Sequence, residues 1–306
     1  NIQMKIRNLI LALVAIAAMS SCKSQYELLL NSNDADAKYK AAFEFFNNKK
    51  YGRAAALFES LSALTDGTER DDTVRYYWGL SNYNAKDYYT AETNFEQFTE
   101  SYPRSPFAEE ARFLRIDCLY RSTLRYELDQ TPTYKAMNAI SEYVLEFPKS
   151  ENMAVCHEML TDLGARLDKK AYEGARLYYK MEDYLAAKVA LKNVLKDDSE
   201  NMYREDILYY IAMSSYKYAN LSVPAKQKER YLAFMDDYLN FIGELPESHY
   251  RKELDAVYAR AQKALGRHTA AEDEKKSERD FAKERAKLQK EMKKAAEEES
   301  KKVRNN

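Results

Sequence analysis

An all-α fold of stacked helix pairs is predicted by three observations. The 306 residues include only seven glycines and six prolines, too few for the many turns of a β-rich chain. Three short stretches, Ser101-Tyr102-Pro103-Arg104-Ser105, Glu146-Phe147-Pro148-Lys149-Ser150 and Glu244-Leu245-Pro246-Glu247-Ser248, each close a long helical pattern with a proline and place a serine at or near the cap of the next helix. Counting back from each proline, packing residues recur in steps of four, three and four: Ala91, Phe95, Phe98, Tyr102; Ala136, Ile140, Tyr143, Phe147; Phe234, Tyr238, Phe241, Leu245. That spacing keeps each set on one helical face.

The first element is a leader. Lys5 and Arg7 precede an apolar run of eleven residues, Leu9 to Met19, about half the ~20 that a helix needs to span a bilayer. A basic head, a short apolar stretch and small residues after it define a secretory signal peptide over 1–21. Met19-Ser20-Ser21-Cys22 is similar to a bacterial lipobox, so cleavage is expected between Ser21 and Cys22, with a covalent lipid on the Cys22 thiol and palmitate-class acylation. Two or three acyl chains hold a protein far more firmly than one. Lys23, rather than an aspartate, follows the cysteine, which favours the outer membrane. Residues 22–36 are then a lipidated tether.

The repeat domain follows over 37–265, as helix pairs at 37–65, 71–102, 106–147, 151–198 and 203–245 with a capping helix at 249–265. Two segments share the pattern without its proline: Tyr51, Ala54, Phe58, Leu61 and Tyr184, Ala187, Leu191, Val194. The alanine lets the partner helix approach, and the aromatic or leucine one turn on fills the space beside it. In the fifth pair Phe234 takes the alanine position, so its two helices are expected to sit further apart. Residues 76–103 carry a tetratricopeptide signature, with Trp78-Gly79 ahead of Tyr88, Ala91, Phe95 and Pro103. The 26 tyrosines suit the shallow, half-buried contacts of stacked helices. From 266 to 306 the sequence is almost all charge, with opposite signs three or four apart, and reads as a helical or disordered tail.

The function classes narrow quickly. With 48 basic and 49 acidic side chains the net charge is -1, which argues against binding nucleic acid through a basic surface. His157, His249 and His268 lack further ligands at metal spacing, and no phosphate loop, nucleophile elbow or paired-carboxylate motif occurs. No catalytic residue, metal or cofactor is therefore expected, and Cys118 and Cys156 read as buried thiols rather than a disulfide. Binding is the remaining class. Tyr39, Phe43, Tyr76, Asn82 and Tyr83 lie on the first helices of the first two pairs and are candidate contacts for an extended peptide in the groove of stacked pairs. Lys188, Lys192 and Lys196 form a basic ridge suited to an acidic partner.

The lipobox, the short tether, the helix pairs and the Tyr102-Pro103-Arg104-Ser105 and Phe147-Pro148-Lys149-Ser150 junctions together resemble the BamD family of lipoproteins of the outer-membrane β-barrel assembly machinery. The resemblance covers the chain after its leader except the charged tail. It implies a noncatalytic, lipid-anchored outer-membrane subunit facing the periplasm, with first repeats that engage unfolded outer-membrane proteins and later repeats that dock on a BamA-type barrel subunit among other assembly-complex subunits. Two other classes fit less of the sequence: a different cell-envelope scaffold lipoprotein for peptidoglycan coordination or nutrient uptake, and a lipid-anchored peptidoglycan enzyme.

Overall fold

The computed structural model describes residues 25–304. The chain divides into two compact units, the first ending at Leu167 and the second beginning at Asp168. The leader, Ser21 and Cys22 lie outside the described residues. In the first unit, α1 (residues 25–30) is followed by α2 (Ala35–Asn47), α3 (Tyr51–Thr65), α4 (Asp71–Asn84), α5 (Tyr88–Ser101), α6 (Ala108–Arg121) and α7 (Thr131–Glu146). The unit boundary falls within α8 (Met153–Lys180), and the second unit continues with α9 (Tyr184–Asp197), α10 (Arg204–Asn220), α11 (Pro224–Glu244) and α12 (Arg251–Arg304). The fold is all-α, built from the helix pairs that the sequence sets out.

Three pairs share one tight internal turn. The residues after α2, α4 and α8 include Lys49, Lys86 and Glu182 at φ 58, 66 and 62°, the left-handed conformation that ends many helices. Its two crossed hydrogen bonds recur each time: the Lys86 amide donates to the Tyr83 carbonyl and that of Asp87 to Asn82, as Glu182 does to Tyr179 and Asp183 to Tyr178. The residue after the positive φ then caps the next helix. Asp87 accepts from the Thr90 amide and Asp183 from that of Ala186, satisfying a donor that the first helical turn leaves free.

The joints between pairs are equally regular. Thr68, Ser105, Ser150, Asn201 and Ser248 each accept, through a side-chain oxygen, the amide two residues on, at 3.4, 3.3, 3.2, 3.0 and 3.1 Å. This local turn gives the chain an alternative to continuing the helix. Thus the serines after the three prolines act near the cap, and Thr68 and Asn201 do the same without a proline. Three of the helices that follow, α4, α6 and α10, carry two acids each in their first turns, Asp71 and Asp72, Glu109 and Glu110, Glu205 and Asp206, the end where negative charge is favoured.

Apolar faces close the cores. Ala54, Phe58, Ala91, Phe95, Ala136, Ile140, Ala187 and Leu191 are all fully buried, so the alanine-then-bulky pattern is the packing pattern. In the fifth pair α10 and α11 pack along their length. Phe234 is fully buried and packs edge-on against Tyr216 of α10, where Ala212, Ser214, Ser215 and Ala219 are also buried. Cys118 and Cys156 are buried and unbridged, in different apolar clusters. Residues 25–30, within the stretch read as a tether, form a helix whose Tyr26, Leu29 and Leu30 pack on the first pair. At the other end, α12 buries Leu254, Val257 and Ala261 and continues through the charged sequence, where residues 274–287 are exposed.

Candidate binding surfaces

On the first unit, the aromatic and amide side chains singled out from the sequence are largely occupied by the fold. Tyr76 is 2% exposed and stacks on Phe107 with ring centroids 4.4 Å apart. The amide of Asn82 is buried and donates to Asn94 Oδ1 at 2.7 Å. Tyr83 donates from Oη to Asp117 at 2.6 Å; burial and that neighbouring carboxylate push its hydroxyl up to about 12. Phe43 packs edge-on against Phe58 and Tyr77. Tyr39, tilted against Phe43, also lies under the Arg70 guanidinium, which pairs with Asp36 at 2.7 Å. Tyr76 and Asn82 thus sit inside the helix packing, while Tyr39, Phe43 and Tyr83 are half-buried.

Sequence reading missed the lacing between first helices. Asp117 holds Tyr83 and also Arg121 one turn on, at 2.5 Å. Asp162 repeats this with Tyr120 and Arg166, and the Arg166 guanidinium lies over the Tyr120 ring at 5.5 Å. The recurring Asp-x-x-x-Arg, following a tyrosine on the preceding pair, was the signal available in the sequence.

On the second unit, the lysine ridge has an internal counter-ion. Asp237 of α11, its side chain 9% exposed, takes Lys188 at 2.5 Å and Lys192 at 2.9 Å and accepts from the Ser215 hydroxyl. Burial works to raise this carboxyl, but the hydrogen bonds from Lys188, Ser215 and Lys192 outweigh it and hold the group below its ordinary range. Lys196 is exposed. Above Asp237 lies a cleft of about 360 Å³ between α9, α10 and α11. Its rim is basic, with Lys188, Lys192, Lys226 and Arg230 against one acid, Glu229, and its walls include Leu185, Val189 and Ala233. Leu185 and Val189 are 47% and 53% exposed. Arg230 lies 3.9 Å over the Tyr218 ring and donates to Ser222, which orients its guanidinium at the cleft edge. An apolar side chain flanked by carboxylates matches this lining.

Among the described residues no cluster of three or more His, Cys, Asp or Glu is placed to hold a metal ion, and no helix is long and apolar enough to cross a membrane. Helix pairs joined by repeated turns, with an open cleft in the second unit, define a helical-repeat scaffold of the tetratricopeptide kind. The chain belongs to the YfiO family, described as outer membrane lipoprotein, which it matches over residues 31–232. It is 20% identical over 238 residues to a Caulobacter vibrioides protein named outer membrane protein assembly factor BamD, covering 77% of this chain and 76% of that one. It is 26% identical over 204 residues to a putative outer membrane protein assembly factor BamD of Aquifex aeolicus, covering 66% of this chain and 64% of the relative. A solved TPR2AB domain of yeast Sti1 in complex with pHSP90 covers 74% of this chain and 98% of its own, at 14% identity and a TM-score of 0.36, a likeness too loose to carry an argument.

Proposed function

We propose that this chain is a noncatalytic lipoprotein subunit that assists assembly of β-barrel proteins at the outer membrane. The observation that carries the reading is the family match over 31–232, which takes in every helix from α2 to α10, together with two relatives named as outer membrane protein assembly factors. In this reading residues 1–21 are removed, Cys22 carries the lipid, and the chain faces the periplasm. Unfolded barrel substrates engage the first unit, and the basic, apolar-walled cleft of the second unit receives the barrel subunit of the machinery. Lipid anchoring supplies the mechanism: it holds weak binding surfaces near the bilayer, which raises their effective concentration at the barrel that does the inserting.

The test is purification of the tagged chain from its own membrane in mild detergent, followed by mass spectrometry. A stoichiometric barrel protein with periplasmic domains is expected, lost in a Val189→Arg variant that fills the cleft from an exposed position. A Cys22→Ala chain should retain the cleft but leave the membrane fraction. Recovery of cell-wall proteins alone would sink the assembly reading.

A further inference from the structure

The first helix pair departs from its own repeat at one turn. Lys49-Lys50-Tyr51 occupies the place of Lys86-Asp87-Tyr88 and Glu182-Asp183-Tyr184, with the same positive φ and the same crossed hydrogen bonds. Where Asp87 and Asp183 cap the following helix through a carboxylate, Lys50 makes no side-chain cap. A lysine there puts a cation at the helix end that favours negative charge and leaves a backbone donor without its cap. Breaking a local rule that the same chain keeps twice points to a use for the charge.

Position supplies that use. Lys49, Lys50 and Arg53 are all exposed, and α1 is fastened beside them. The Tyr26 ring packs edge-on to Phe45 at 5.5 Å, Arg53 lies 5.2 Å over Tyr26 and 5.6 Å over Phe45, and Tyr26 Oη donates to the Arg53 carbonyl at 3.3 Å. Lys50 stands 5.8 Å over Phe45. Cys22 is three residues before Gln25, the first residue of α1, and three extended residues span at most about 10 Å. If Cys22 bears the lipid, the basic turn is therefore held close to the headgroup layer. The acids on α1, α2 and α3 are Glu27, Asp36, Glu44 and Glu59, all exposed, and Asp36 is already paired with Arg70. Leu28, 73% exposed on α1, adds an apolar side chain near the same attachment point.

We infer that the α2–α3 turn of this chain is a membrane-contact surface, in which Lys49, Lys50 and Arg53 bind the anionic headgroups of the bilayer that the lipid on Cys22 enters. This rests on the anchoring proposed above, and it adds an electrostatic contact that fixes which end of the first unit faces the lipid. A basic residue near a membrane surface strengthens attachment by about fivefold, and the effect is screened by salt.

The experiment is vesicle flotation of residues 22–306 carrying Cys22→Ser, so that no acyl chain contributes. The parent is expected to bind phosphatidylglycerol vesicles, to release from them as salt is raised, and to ignore phosphatidylcholine vesicles. Lys50→Asp should bind at least about fivefold more weakly, while its melting temperature equals or exceeds the parent's, because it restores the cap used by Asp87 and Asp183. That pairing of weaker binding with an intact or steadier fold separates a lost contact from a damaged protein. Equal binding by parent and Lys50→Asp, or equal binding to neutral vesicles, would overturn the inference. Mass of residue 22 in protein taken from its native membrane tests the anchoring on its own, so the two readings fail separately.

Discussion

Gly79 measures how closely the helices of the second pair approach. A methyl group added at its Cα would lie 2.8 and 3.0 Å from two ring carbons of Phe95 and 3.3 Å from Asn94 Cβ. Phe95 is fully buried, and Asn94 is held by the buried amide of Asn82, so neither neighbour can swing into solvent. Gly79→Ala gains about 1 kcal/mol from helix propensity and loses about 1–3 kcal/mol from overpacking. We expect a net loss of about 1 kcal/mol, read from urea unfolding followed by helical circular dichroism. Gly174, in the interior of α8 with nothing within 4 Å of its added carbon, is the control, and Gly174→Ala should stabilise by about 1 kcal/mol. Replacing Phe95 by leucine exchanges the clashing ring edge for a smaller, adaptable side chain, so the Gly79→Ala and Phe95→Leu effects should couple favourably by about 0.5–1 kcal/mol. If Gly79→Ala stabilises as much as Gly174→Ala does, the close-approach argument is wrong.

Four further outcomes follow from particular residues. Asp237→Ala strands Lys188 beside the core, and should cost about 3 kcal/mol, the lower end for a broken buried pair because Lys192 is half exposed and can rehydrate; a loss below about 1 kcal/mol in urea unfolding would refute the buried-pair account. The Asp237 carboxyl sits below its ordinary range, so its stabilisation is complete above the unfolded value of about 3.9 and is lost as pH falls through the lower folded value; the gap between parent and Asp237→Asn should be constant near neutrality and shrink below about pH 4. Lys86→Gly, at φ 66°, should stabilise by about 0.5–1 kcal/mol by relieving a left-handed non-glycine residue, visible as a higher melting temperature. In a Cys22→Ser chain, a thiol reagent at pH 8 should find no reactive cysteine before unfolding and two after it, since burial pushes Cys118 up to about 12 and also raises Cys156.

The helix pairs were legible because their signals are local. Pro103, Pro148 and Pro246 stop helices by removing a donor, and the four-three-four spacing fixes a face within twelve residues. The internal turns were less visible. Lys49, Lys86 and Glu182 hold positive φ where a reader looks for glycine, although Asp87 and Asp183 ahead of a tyrosine carry a capping signal. Binding residues were the hardest to place, because burial is a long-range property. Tyr76 was read as a groove contact, yet its face is covered by Phe107, a residue on the approach to the next pair. The lysine ridge likewise looked free from α9 alone; its counter-ion, Asp237, arrives with α11.

The tyrosines show why that long-range part matters. Tyr102 donates to Asp71, Tyr250 to Asp206 at 2.6 Å, Tyr83 to Asp117 at 2.6 Å and Tyr120 to Asp162 at 2.7 Å. In the first two pairs the acceptor lies in the first turn of a helix, where the dipole favours its charge; in the other two it also holds an arginine one turn on. For Tyr102, Tyr83 and Tyr250, burial and then the facing carboxylate raise the hydroxyl, whereas for Tyr120 the hydrogen bond to Asp162 comes first. Each therefore stays a donor near neutral pH, facing a group that only accepts. Phenylalanine could fill the same space between helices, but it would remove a donor from carboxylates such as Asp71, whose side chain is 1% exposed. An alanine–aromatic stripe sets how near two helices lie and leaves their register free to slide by a turn. A hydroxyl that must meet one carboxylate on another helix removes that freedom, which is a physical reason for so many tyrosines in a fold whose apolar stripes alone would have been satisfied by phenylalanine.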